Sequence, residues 1–407
     1  MPDDSPRHFD FPEAPLIPPE TEAESWLYGL SRFGMKLGLA NIIELARRFG
    51  NPQHKLRFLH VAGTNGKGSV CFYLESLLKA SGHSVGVFAS PHLIHVGERI
   101  RVKGELLSHD ELANYVHRVR ADVEELCATF FETMTLIALL RFADAGVDFV
   151  AWETGLGGRY DSTRVAYPAA SAITRVGLDH TKYLGTTLEE IAADKMGIGK
   201  PGVPLYTGQE PGALLEFMKN RAIAENLDLI HVSPLCLDGL MPFQQANAAL
   251  ALGMLQGLDP GTVPTDFEEV LRNTSLPGRF HVLRENPLMV IDGGHNPQAL
   301  EAVLGEWDRR VPEGGTIIFG CSADKEVDAL LALLKAKPRR MIFTRAQNPR
   351  SINPDELYDR AGKPETWTVA TDFGAALATV QEGPLLVTGS FYLAGEAYWQ
   401  MGVIPFE

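Results

Sequence analysis

The feature that most constrains this chain is the run at residues 56–70, LRFLHVAGTNGKGSV. An almost wholly apolar stretch passes straight into Gly63-Thr64-Asn65-Gly66-Lys67-Gly68-Ser69, and a helix-forming stretch follows without a linker. A strand this apolar is buried on both faces, as strands of parallel sheets are. Small residues at the turn let backbone N–H groups wrap a phosphate at a helix N-terminus. Lys67 is then placed to reach β- and γ-phosphates, and the Ser69 hydroxyl to reach a magnesium ion. The spacing departs from G-x-x-x-x-G-K-[ST], because two residues separate the first glycines and Gly68 stands before Ser69. A plain glycine-rich strand-to-helix turn is the other reading of the same residues.

The pattern around this run predicts an α/β chain with a parallel sheet covered on both faces. A leader at 1–22 is acidic, Pro-rich and expected to be flexible, with neither the basic nor the apolar region of a signal peptide. Helix-face spacing follows up to residues 50–52. Strands are expected at 56–62, 84–88, 149–152 and 171–174, and helices at 69–80 and, as one or two pieces, at 111–145. From about residue 287 the pattern restarts, with strands at 288–291, 316–319, 341–343 and 385–387. The expected division is an ATP-binding domain at 23–285 and a smaller Rossmann-like domain at 286–407. In 407 residues with 45% hydrophobic and 22% charged content, two domains are the natural count. The net charge of -14 argues against a duplex nucleic-acid partner, though not against small anionic ligands. The longest apolar stretch, near 134–140, is stopped by Arg141, too short for a membrane span. Four scattered cysteines without a C-x-x-C pair point to free thiols and a cytoplasmic protein.

Two further constellations carry chemistry. Glu153 ends the DFVAWE strand and opens into Gly155-Leu156-Gly157-Gly158-Arg159. A carboxylate at a strand's C-terminal end, above a phosphate loop, is where such a sheet places a magnesium ligand, and a solvated strand-end carboxylate is the other reading of Glu153. Asp179-His180 follows the next strand, and by residue type alone His180 reads as structural, since magnesium prefers oxygen. Asp292-Gly293-Gly294-His295-Asn296-Pro297 sits between a strand and a helix, and also fits a simple glycine turn with an Asn-Pro helix start.

The loop HVAGTNGKGS at 60–69 resembles the P-loop of the folylpolyglutamate synthase / dihydrofolate synthase family of the Mur ligase superfamily. Matching segments continue in that family's order: Ser90-Pro91-His92-Leu93, Glu98-Arg99-Ile100, Phe130-Phe131-Glu132, ETGLGGRYD ending at Asp161, GLDHTKYLG ending at Gly185, DKMGIGK ending at Lys200, Gln245-Ala246-Asn247-Ala248, Pro277-Gly278-Arg279 and DGGHNP ending at Pro297. The match is dense over residues 30–300 and loose beyond. The resemblance implies one Mg²⁺ held by Ser69, Ser90 and Glu153. It implies a second held by Glu153, His180 and a carbamylated Lys195. It further implies ATP contacts from Gly63, Thr64, Asn65, Gly66, Lys67, Gly68, Ser69, Asn247, Arg279, Asp292 and His295. Lys67, Glu153, His180, Lys195 and His295 are the expected catalytic set. Departures from the family pattern are Thr154, Arg164, Met196 and Gly294.

The implied activity is ATP-dependent ligation of L-glutamate to dihydropteroate or a tetrahydrofolate, or both, through an acyl phosphate. Two closing domains are expected to keep water from that intermediate. The expected protein is a monomer without a nucleic-acid or membrane partner. Residues 33–39 are a candidate lining for a pterin pocket. Two other readings remain: a Mur-type ligase acting on a UDP-muramyl precursor, and a P-loop nucleotide switch that ligates nothing. The first commonly carries an N-terminal UDP-binding domain, for which the stretch before Leu56 is too short. The second leaves the DGGHNP segment unexplained.

Overall fold

The computed structural model describes residues 8–9, 17–36, 38–337 and 339–406. Two compact units result. The first takes residues 19–91 and 96–274, with His8–Phe9; the second takes 275–406, with 92–95 and 17–18. The change of unit falls at Ser275, earlier than the expected 286. The reason is pairing: His281–Glu285 runs antiparallel to Leu288–Ile291 and so belongs to the second sheet. Residues 92–95 also join the second unit, where Leu93 and Ile94 enter its core.

The first unit is built on eight strands in the order Asp228–His231, Pro204–Thr207, Pro168–Ile173, Phe58–Ala62, Phe149–Glu153, Val85–Phe88, Ile100–Val102, Glu105–Leu106. The first six run parallel, and the last two turn back antiparallel. The P-loop strand is central and fully buried, flanked by the strands that carry Glu153 and Thr174 at or just beyond their ends. One face of the sheet packs Phe58, Phe88, Val150 and Trp152 against apolar residues such as Met134, Leu136 and Ile137 of Phe130–Ala145. A second cluster joins Ala62, Ile173 and Leu205 to Ile191, Ala192 and Met196, which come from helix Leu188–Lys195 and the turn after it.

The strands expected from the sequence are present, within a residue or three at their ends. The hairpin at 100–106 went unread, because strands of two or three residues carry too little pattern. Lys103 and Gly104 both take positive φ, the turn that suits a two-residue hairpin. Arg141, the residue that interrupts the apolar run, donates to the carbonyls of Ile100 and Leu106 at 2.9 and 3.3 Å. A buried cation thus ties a helix to that hairpin. The leader is not wholly unstructured: His8–Phe9 pairs antiparallel with Met35–Lys36, and a helix begins at Glu22. Residues 1–7 and 10–16 of the leader, and Leu37 of the 33–39 segment, lie outside the described residues. No helix among the described residues is long and apolar enough to cross a membrane.

The second sheet runs His281–Glu285, Leu288–Ile291, Leu385–Thr388, Thr316–Phe319, Arg340–Phe343, Trp367–Val369. All pairs but the first are parallel.

The 111–145 stretch is two helices, His109–Glu125 and Phe130–Ala145, parted where Cys127 takes φ 49. A buried capping box restarts the chain: Thr129 Oγ1 accepts from Glu132 N at 3.3 Å, and the Glu132 carboxylate accepts from Thr129 N at 2.8 Å. Thr129→Ala is expected to cost about 1 kcal/mol of stability by removing this cap. Urea unfolding checks it, and an unchanged midpoint would refute the cap's contribution.

Candidate functional site

The loop after the central strand is shaped by contacts that only glycine permits. Gly63 has φ +150, and a Cβ there would lie 1.7 Å from Thr174 Oγ1. Gly66 has φ +92, and a Cβ there would lie 2.3 Å from Asn247 Oδ1. Thr174 continues the neighbouring strand, its N–H donating to Ala62 O at 2.9 Å. Thr64 is pinned from the same side: its hydroxyl is 3.0 Å from both Gly177 O and Gly177 N. Helix Lys67–Ala80 then starts with Ser69 buried in its first turn. The sequence placed the helix start at 69; the structure places it at Lys67, since glycine at 66 and 68 hid the first turn.

Two lysines converge on one carbonyl. Lys67 Nζ donates to Gly63 O at 3.2 Å and to Thr64 O at 3.1 Å, while Lys195 Nζ donates to Gly63 O at 2.8 Å. Lys195 is 3% exposed. Burial, reinforced by the neighbouring Lys67 charge, pulls its pKa down to about 7. Its place is fixed by the ETGLGGRYD loop packing onto the end of helix Leu188–Lys195. A Cβ on Gly158 would lie 2.7 Å from Lys195 O, and the Asp194 carboxylate accepts from Gly158 N at 2.8 Å. Asp161 holds the same loop, accepting from Gly155 N at 2.9 Å and Leu156 N at 2.8 Å.

Glu153 ends its strand almost fully buried, and its carboxylate accepts from Ser90 N at 2.8 Å. Those two expected metal ligands are therefore neighbours. His180 takes φ 51 before a one-turn helix, its N–H donating to Asp179 Oδ1 at 2.9 Å, with Nε2 3.8 Å from Asp179 Oδ2. Ser69, Ser90 and Glu153 offer oxygen only, the donor set a hard divalent cation takes. His180 adds an imidazole nitrogen with the Asp179 carboxylate nearby.

Within the second unit, Arg279, Asp292 and His295 form one group. Asp292 is buried, and both its oxygens serve its own surroundings: they accept from Phe280 N and from Gly294 N, each at 2.6 Å. Burial raises its carboxyl to about 6 in spite of these donors. Asp292, expected at the nucleotide, thus holds the turn that carries its neighbours. The Arg279 guanidinium lies over the Phe391 ring at 5.4 Å, and the His295 ring lies 5.8 Å from the same ring. Gly294 is tight: a Cβ would lie 2.7 Å from Asp292 Oδ1. Sequence reasoning missed Thr174, Asp194 and Tyr398. Each acts through contacts with glycines or backbone amides remote in the sequence, which leaves no spacing to read.

Comparison with known proteins places the two units in a family. Residues 61–204 match the Mur ligase middle domain, and residues 278–391 match the Mur ligase glutamate ligase domain. The chain is 31% identical to the dihydrofolate synthase/folylpolyglutamate synthase of Bacillus subtilis, over 92% of this chain and 97% of that one. Among solved structures it is similar to the bifunctional folylpolyglutamate synthase/dihydrofolate synthase of Yersinia pestis complexed with AMPPNP and Mn ion. That match has a TM-score of 0.83 and 28% identity, covering 96% of this chain and 100% of the other. The E. coli FolC complex with DHPP and ADP matches with a TM-score of 0.81 and 28% identity, over 96% and 99%.

Gly63→Ala brings a side chain into Thr174 at a left-handed φ, so the loop has to move. ATP affinity is expected to fall at least about tenfold, the effect of losing ~1.4 kcal/mol of binding. Calorimetric titration with a non-hydrolysable analogue checks this; wild-type affinity would show that the loop does not hold phosphate.

Proposed function

Because the chain belongs to the folylpolyglutamate synthase / dihydrofolate synthase family of Mur ligases, we propose how its own residues carry out ATP-dependent ligation of L-glutamate to a folate-type carboxylate. The reaction has two steps. A substrate carboxylate oxygen attacks the γ-phosphorus of ATP, giving an acyl phosphate and ADP. The amino nitrogen of glutamate then attacks the acyl carbon, forming the amide and expelling phosphate. The observation that carries the assignment is the glycine loop of residues 63–68, clamped against Thr174 and Asn247 and flanked by two convergent lysines.

The loop amides and Lys67 hold the phosphates, with the ammonium offsetting charge as an anionic carboxylate approaches an anionic phosphate. Glu153 and Ser90, joined by their hydrogen bond, would hold a divalent cation together with Ser69. Such an ion supplies further charge neutralisation at the phosphates. Asn247 sits against Gly66 and contacts the nucleotide from the helix Pro242–Leu258. Arg279 and His295 are the second unit's nucleotide contacts, and Asp292 keeps their turn in shape. A second cation site is assigned to Glu153, His180 and Lys195.

Lys195 suits that site only as a carbamate. Two ammonium groups on one carbonyl repel each other, and an ammonium repels a metal ion as well. A pKa of about 7 leaves a sizeable share of Lys195 as neutral amine at neutral pH. That amine forms a bond to the carbon of CO₂ and gives up a proton, which turns a buried cation into an oxygen donor and a counter-charge for Lys67.

Lys195→Ala is expected to lower kcat by about 100-fold or more, the scale of losing one electrostatic contributor. Lys195→Arg should not restore the rate, and acetate should partly rescue the alanine variant. Full activity in Lys195→Arg would overturn the carbamate. The ligase assignment itself is tested by phosphate release from ATP and glutamate, with dihydropteroate or tetrahydrofolate added in turn. Stimulation by at least one is expected, and its identity assigns the substrate. Release indifferent to both would overturn the folate reading.

A further inference from the structure

The segment that carries Arg279 is held by Asp292 and by Tyr398, the second of which no sequence pattern marks. Gly278 and Phe280, on either side of Arg279, both lie in the left-handed region, at φ 67 and φ 50. A non-glycine residue stays there only when its surroundings fix it. Phe280 N–H is fixed by the Asp292 carboxylate, and Gly278 O accepts from Gly293 N at 2.8 Å. The remaining amide of the pair, Gly278 N–H, donates to the Tyr398 hydroxyl at 2.9 Å. That hydroxyl also lies 2.6 Å from His281 Nδ1, so one hydroxyl bridges the Gly278 amide and the imidazole. Tyr398 is fully buried, and burial favours the neutral form of His281.

Tyr398 and Phe391 stand seven residues apart on helix Phe391–Gln400, two turns apart and so on one face. Phe391 meets the Arg279 guanidinium with its ring, while Tyr398 meets the backbone just before it. A Cβ on Gly293 would lie 2.6 Å from Phe391, which shows how closely this face seats the turn. Arg279 Nη1 also donates to Pro277 O at 3.0 Å, tying the guanidinium to its own turn.

We propose that Tyr398 is a positioning residue for the ligation: with Phe391 it fixes the backbone and aim of Arg279, and so acts on ATP without touching it. The inference rests on Arg279 being the nucleotide contact assigned above. Within it, the hydroxyl has a purpose that the ring alone does not serve. Phenylalanine would fill the same space and leave Gly278 N–H and His281 Nδ1 without their shared partner.

The test combines Tyr398→Phe, Phe391→Leu and Arg279→Ala with the double variant Tyr398→Phe/Arg279→Ala. Phenylglyoxal modification of Arg279, followed by mass spectrometry, reads how firmly the guanidinium is held, independently of ATP. It is expected to speed up severalfold in Tyr398→Phe and also in Phe391→Leu, whose Tyr398 bonds are intact. The KM for ATP should rise about fivefold in Tyr398→Phe, a modest effect for a displaced binding group. The KM for glutamate should stay within about twofold. In the Arg279→Ala background, Tyr398→Phe should add nothing to the KM for ATP. Unchanged labelling in both single variants overturns the positioning role. So does an equal ATP effect with and without Arg279. Altered labelling together with a normal ATP KM in Arg279→Ala would leave the positioning in place and overturn the nucleotide role of Arg279.

Discussion

The carbonyl and the missing side chain of Gly63 set the terms for most of the first unit's chemistry. The central strand ends at Ala62, paired through Ala62↔Ile173 with its neighbour, so Gly63 and Thr174 come off adjacent strands side by side. There is no room between them for a Cβ. The chain therefore turns at φ +150, which only glycine takes readily, and its carbonyl faces the two lysines rather than a strand partner. The loop's openness to phosphate and the convergence of Lys67 and Lys195 follow from one close approach of backbone to side chain.

That convergence creates an electrostatic problem that the chemistry can use. Burying one lysine beside another is costly unless one of them loses its charge. Asp161, Asp179 and Asp194 oppose this with negative charge, yet burial wins and Lys195 is pulled down to about 7. Two of these carboxylates are already committed to backbone amides, Asp161 to the loop at 155–156 and Asp194 to Gly158. They shape the site more than they neutralise it. The second unit follows a similar rule on a smaller scale, with Asp292 and Tyr398 committing polar atoms to the backbone amides of Gly278, Phe280 and Gly294 around Arg279 and His295.

What the sequence alone determined was whatever depends on local pattern. Apolar runs marked the buried parallel strands, glycine spacing marked the tight turn after the central strand, and the DFVAWE run marked Glu153 as the end of a buried strand. Ordered motifs pointed to the family before any coordinates. Tertiary structure decided what depends on partners far away in the chain. The strands at 100–102, 105–106, 228–231 and 281–285 were hidden because short or half-exposed strands lack a periodic signature, and the pairing of the last of them defined where the second unit starts. The meeting of Lys195 with Gly63 spans 132 positions, and that of Tyr398 with Gly278 spans 120. No spacing rule reaches so far, because a hydrogen bond between distant residues exists only once packing has brought the two segments together.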